Sequence, residues 1–142
     1  VDQLGGLVAL NVAQNIPLAV FLLTGFLNDV PREIEEAARI DGASPWSIYW
    51  QIILPLCKPA LATAAIFAFL GAWDEYIWAA TIINSPEKRT LPVGIATFQG
   101  AHASNWGLVF AASLIAVGPV ILIFILLQKY FVKGMIAGAI KG

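Results

Sequence analysis

The sequence predicts an all-α integral membrane protein, a transmembrane helix bundle of about three spans joined by one short helical loop. Three observations lead there. Hydrophobic residues make up 59% of the 142 residues while charged residues make up only 12%, about half the charged share of soluble domains. The mean hydropathy is +0.80, more apolar matter than so short a chain can hide from water in a core of its own. The apolar residues also gather into runs long enough to cross about 30 Å of hydrocarbon at 1.5 Å per helical residue. This balance excludes an ordinary soluble enzyme and a disordered tail, and a net charge of −1 excludes the basic surface of a nucleic-acid binder. One cysteine, Cys57, allows no internal disulfide, and one histidine, His102, allows no zinc cluster. No phosphate-binding GxxxxGK[ST] loop is present.

The first span is expected over residues 3–28, an uncharged stretch interrupted by Asn11, Gln14, Asn15 and Pro17. Because the chain starts at Val1 and its first basic residue is Arg32, this stretch lacks the basic lead of a signal peptide. The chain is accordingly read as the C-terminal part of a longer membrane protein. Asn11 and Asn15 stand four apart and share a helix face. They and Gln14 either line a polar solute path, or join helices and satisfy carbonyls freed by Pro17.

A polar loop follows over residues 29–59. Pro31 suits a first helical position, and Glu33, Glu35 and Glu36 place negative charge in the opening turns. Gly42 is expected as the stop, and Ser44-Pro45 as the restart of a second helix whose Trp46, Tyr49, Trp50 and Ile53 follow helical spacing. Pro55 and Pro59 should break that helix before the next span.

The second span is expected over residues 60–82, interrupted by Asp74-Glu75. This acidic pair falls past the midplane, where it either belongs to a gate or marks the end of the span, among the belt-like Trp73, Tyr76 and Trp78. Residues 83–106 read as a structured external loop with Pro86, Pro92, Gly94 and Gly100, in which His102 is a solvated polar residue. The third span, residues 107–128, lies between Trp106 and Lys129-Tyr130, and a polar tail occupies residues 129–142. Arg32, Arg39 and Lys58 in the first loop and Lys129, Lys133 and Lys141 in the tail outnumber Lys88 and Arg89 on the other side. The bias places the first loop and the tail in the cytoplasm.

Residues 36–55 read EAARIDGASPWSIYWQIILP. This resembles the EAA motif of ABC importer permeases, in which Gly follows four residues after the last Ala and Ile-x-Leu-Pro starts ten after the Gly. Glu36, Ala37, Ala38, Gly42, Ile52, Leu54 and Pro55 fill those positions. Pro31-Arg32-Glu33, Ile40-Asp41-Gly42-Ala43-Ser44, Trp73-Asp74-Glu75-Tyr76, Thr90-Leu91-Pro92-Val93-Gly94, Trp106-Gly107 and the end of the chain are similar to the carbohydrate-uptake, MalG-type branch. Asp74 departs from it, since members more often carry Asn there.

The resemblance implies a membrane-spanning subunit of a binding-protein-dependent importer, for a sugar or oligosaccharide, in the cytoplasmic membrane of a prokaryote. It implies no enzyme activity in this chain and no cofactor bound by it, with ATP and magnesium on a partner. Its expected partners are an ATP-binding-cassette ATPase dimer, a second permease subunit, an extracytoplasmic solute-binding protein and the lipid bilayer, and no nucleic acid. The loop over residues 29–59 would be the coupling loop, docking the ATPase through Glu36, Ala37, Ala38, Gly42, Ala43, Ser44, Ile52, Leu54 and Pro55. Asn11, Gln14, Asn15, Asp74 and Glu75 are the candidates for solute path or gate. A different class remains open from the residues alone: a proton-coupled secondary carrier using Asp74 or Glu75.

Overall fold

The computed structural model describes residues 2–100 and 104–139, so His102 and Lys141 lie outside the described residues. It is helical almost throughout, as expected. Helix α1 (Leu4–Asn28) is followed by α2 (Arg32–Ile40) and α3 (Pro45–Ile48), a π-helical turn (Tyr49–Ile53) and α4 (Leu54–Leu56). Then come α5 (Lys58–Trp73), α6 (Ile77–Ile82), a 3-10 turn (Pro86–Lys88), α7 (Leu91–Ala96) and α8 (Trp106–Ala139). Helices α1 and α8 are each long and apolar enough to cross a membrane, and a third span arises if the bent pair Pro45–Leu56 and Lys58–Trp73 is counted as one. Their side chains are largely uncovered by this chain, with Phe21 75%, Leu114 76% and Ile115 71% exposed. Such faces need lipid or other protein around them.

The chain divides into two compact units. The first joins residues up to Asn15 with Phe67–Leu126. Its core is small: Leu7 of α1, Ala79 and Ile83 at α6, and Val93 of α7, with Ile82 packed against them. The indole of Trp73 at the end of α5 donates to the Ala116 carbonyl of α8 at 3.1 Å, near Pro119, which cannot donate to the Ile115 carbonyl. The second unit joins Ile16–Ile66 with the segment from Leu127 onward and contains the helices α2 to α4.

Three elements differ from the sequence expectation. The second span, expected over residues 60–82 with Asp74-Glu75 as an interruption, is two helices: α5 ends at Trp73 and α6 starts at Ile77. The cause is Glu75, whose carboxylate accepts from the Trp78 N–H at 2.6 Å and the Ala79 N–H at 2.9 Å, capping a new helix instead of continuing the old one. Hydropathy alone reads through this break because residues 76–83 are again apolar.

Pro55 does not end the second loop helix, because it sits in the first turn of α4, where its missing N–H costs nothing. The break falls at Cys57, where the axis bends by 65°. Cys57 remains bonded on both sides, donating to Ile53 and accepting from Leu61, both at 2.9 Å. Finally, α8 continues to Ala139, through a segment expected as a tail, with Gly134 and Gly138 inside the helix.

Candidate functional site

The site is the loop between α1 and α5, and its shape follows from local chemistry. Helix α2 starts after Pro31, whose extended backbone (φ −61°, ψ 133°) makes it the N-cap. Glu33 and Glu35 lie in the first turn and Arg39 in the last, matching the helix dipole. Arg39 reaches back to Glu35 at 3.1 Å, an exposed i,i+4 pair that contributes about 0.3–0.5 kcal/mol. Glu36 is exposed, and its side chain has no partner among the described residues.

The reversal after α2 is a Schellman turn. The Ala43 N–H donates to the Ala38 carbonyl and the Gly42 N–H to the Arg39 carbonyl, both at 3.0 Å, while Gly42 takes φ +81°. That left-handed conformation costs an L-residue about 1–2 kcal/mol, which explains why glycine stands here. Two residues on, the Ser44 hydroxyl accepts from the Ser47 N–H at 3.2 Å and Pro45 opens α3. The Leu54 N–H bonds back five residues to Tyr49, forming the π turn just ahead of Pro55.

The two arms of this hairpin differ in what they bury. Ala38 is 8% exposed and Ile48 only 3%, so these two close the hairpin from inside. Ala37, Gly42 and Ser44 are exposed and Ala43 is half-buried; on the second arm Ile52 and Leu54 are half-buried and Pro55 is exposed. Of the two motif alanines, then, only Ala37 is turned outward. Trp46, Tyr49 and Trp50 are exposed, with the last two rings edge to face at 5.2 Å. A groove of about 430 Å³ runs between the end of α1 and the two arms, past Leu27, Pro31, Arg32, Glu35, Ile48 and Tyr49.

Sequence reasoning missed two residues. Ile48 lies off the aromatic spacing, and nothing local marks it as the buried member. Ile40 is 86% exposed at the very end of α2, beside the turn. Its signal was readable, since an isoleucine between Arg39 and Asp41 has no polar reason to be there.

The intramembrane candidates are not all placed together. In the first unit Asn11 donates to the Leu7 carbonyl at 3.1 Å and Asn15 to the Asn11 carbonyl at 2.8 Å. Both thus bond their own helix, and neither reaches the Ala13 carbonyl that Pro17 leaves without a donor. The Asn15 amide also lies over Gly71, where an added Cβ would stand 3.5 Å from its Oδ1. Gln14 and Asp74 are exposed, and Glu75 is half-buried as the cap of α6. Among the described residues no cluster of His, Cys, Asp or Glu is fit to hold a metal ion.

The stretch that carries this loop between long apolar helices matches a known family. The model of the binding-protein-dependent transport system inner membrane component covers residues 3–137. The chain belongs to that family. It is 43% identical over 132 residues to the trehalose/maltose transport system permease protein MalG of Thermococcus litoralis, covering 92% of this chain and 48% of the relative. It is 42% identical over 134 residues to the melibiose/raffinose/stachyose import permease protein MelC of Bacillus subtilis, covering 94% of this chain and 49% of the relative. Among solved structures, a bacterial ABC transporter involved in the import of the acidic polysaccharide alginate is 29% identical with a TM-score of 0.67. That match covers 80% of this chain and 46% of that one. The chain therefore spans about half the length of the curated relatives it matches.

Proposed function

We propose that the chain forms the C-terminal part of a sugar or oligosaccharide importer's permease subunit, in the cytoplasmic membrane of a prokaryote. It moves solute by alternating access and hydrolyses no ATP itself. The observation that carries this reading is the α2–α4 hairpin: a hydrogen-bonded turn that leaves Ala37, Ile40, Gly42 and Ser44 exposed while its own packing ends at Ala38 and Ile48. An exposed isoleucine at the tip is a poor surface in water and a good anchor in a partner's cleft. Glu36, exposed and without a side-chain partner among the described residues, supplies the anionic contact to a cation of that partner. The partner is an ATP-binding-cassette ATPase dimer that holds ATP and magnesium. A second permease subunit and an extracytoplasmic solute-binding protein complete the assembly. The names of the relatives, permeases for trehalose/maltose and for melibiose/raffinose/stachyose, support a saccharide cargo.

ATP closes the ATPase dimer, the docked hairpin moves with it as a body, and the spans turn from inward-open to outward-open. A proton-coupled carrier, the other use of the acidic pair, is not favoured. Both oxygens of Glu75 are engaged by backbone N–H groups, and the relatives are permease proteins of transport systems.

The experiment is Ile40→Glu in the full-length permease of the assembled importer. Exposed as it is, Ile40 should contribute less than about 0.5 kcal/mol to the stability of the subunit. Solute uptake and copurification of the ATPase should nevertheless fall by about tenfold or more, as expected when a charge replaces a buried apolar anchor. Unchanged uptake and copurification would remove the hairpin from the interface.

A further inference from the structure

In the first compact unit, one residue outside every motif makes an unusual set of contacts. Asp2, just before α1, adopts φ 69°, a conformation Asp tolerates better than most residues. Its Oδ1 accepts from the Asn84 and Ser85 N–H groups, both at 2.9 Å. Its Oδ2 accepts from the Ser85 hydroxyl and from the Lys88 ammonium, the latter at 3.3 Å. Its main chain joins in as well, the N–H donating to Ile82 at 2.9 Å and the carbonyl accepting from Lys88 at 3.0 Å. Every element touched lies 80 or more residues away in sequence, all within the first compact unit.

These contacts fix one short segment, the turn at residues 84–89 with its 3-10 helix Pro86–Lys88. Tied to Asp2, Lys88 is neutralised, whereas Glu87 and Arg89 stay exposed with no side-chain partner among the described residues. A turn this exposed adds little to the core below it. Holding it in one conformation matters most if something must land on it, because a preordered surface loses less freedom on binding. We infer that Asp2 is a positioning residue, holding the turn at residues 84–89 in the form that receives a solute-binding protein through Glu87 and Arg89. This rests on the importer reading above, which puts that turn on the external side.

The test measures ATPase activity of the reconstituted full-length importer against the concentration of its solute-loaded binding protein. Asp2→Ala should raise the half-saturating concentration about tenfold, the scale of one charge-assisted hydrogen bond, while the maximum stays within about twofold. Asp2→Asn keeps an oxygen for the two amides but loses the Lys88 pair, and should give a smaller shift in the same direction. Ser85→Ala, which removes the hydroxyl that donates to Asp2 Oδ2, should move the midpoint the same way. A lowered maximum with an unmoved midpoint in all three variants would reduce Asp2 to a folding role and overturn the inference. A wild-type importer indifferent to any binding protein would overturn the importer reading and this inference with it.

Discussion

The hairpin of α2 to α4 and the segment from α6 to α7 are both short helical connectors beside long apolar helices, yet they are held by opposite means. The hairpin is held locally. Its Schellman bonds, its Ser44 cap and its π turn all join residues within six positions of each other, and it leaves Ile40, Trp46 and Trp50 exposed. The α6–α7 segment is held from afar. Asp2 ties its turn across more than 80 residues, and Ala79, Ile83 and Val93 close on Leu7 of α1. The first is held by its own local bonds and leaves large apolar side chains uncovered on its surface. The second is finished, its position set by the helix it packs on.

The difference can be broken most strongly at the hairpin's inner contact. Ile48→Ala removes the most deeply buried side chain of the second arm and should cost about 2–5 kcal/mol if the arm cannot collapse into the space. Limited proteolysis should then cut within residues 32–56 while the α6–α7 segment remains protected. Equal loss of protection in both places would show that the two regions are not independent.

Gly42→Ala tests the turn alone. It meets no steric neighbour, since nothing lies within 4 Å of an added Cβ, so only the positive φ opposes it, by about 1–2 kcal/mol. Gly42→Asn should cost less than Gly42→Ala, measured by urea or thermal unfolding of the loop, and the reverse order would contradict the left-handed assignment.

On the other side of the comparison, Glu75→Ala should fray the start of α6 by about 1 kcal/mol, the usual worth of a helix cap. Glu75→Gln, which keeps one acceptor, should retain part of it. Amide exchange at Trp78 and Ala79 reads the change.

The smallest effect is that of acid on the Asp2 clip. The Ser85 hydroxyl and the Ser85 amide first, then the Asn84 amide and Lys88, hold the Asp2 carboxyl well below the usual carboxylate range. A group depressed in the folded state stabilises fully above its unfolded value, about 3.9, and less as pH falls toward the folded one. Protection of the Asn84 and Ser85 amides, corrected for intrinsic exchange, should thus hold from neutral pH to about pH 4 and decline below it. In Asp2→Asn that decline should be absent.

What the sequence disclosed follows the same division. The start and stop of α2, the Gly42 turn and the Ser44-Pro45 restart were legible because each depends on residues adjacent in the chain. So were α1 and the beginning of α8, through length and hydropathy. At Glu75 the sequence left a gate and a span end both open, because a capping carboxylate and an intramembrane acid look alike until the N–H groups it meets are known. The burial of Ile48 and the reach of Asp2 were hidden for a plainer reason: contacts between distant positions leave no periodicity to read. The polar residues Asn11 and Asn15 stood out by type, but only coordinates show that they bond their own helix.

The central claim, that the hairpin is the surface an ATPase closes upon, is tested most directly by crosslinking in membranes. Ile40→Cys is the position of choice, because Ser44 is engaged as a cap and Ile40 is the exposed tip. Cys57→Ser removes the native thiol, and the ATPase carries single cysteines around its cleft. The account predicts a specific crosslink whose yield changes when ATP is added. No crosslink, with both subunits inserted and assembled, would contradict it.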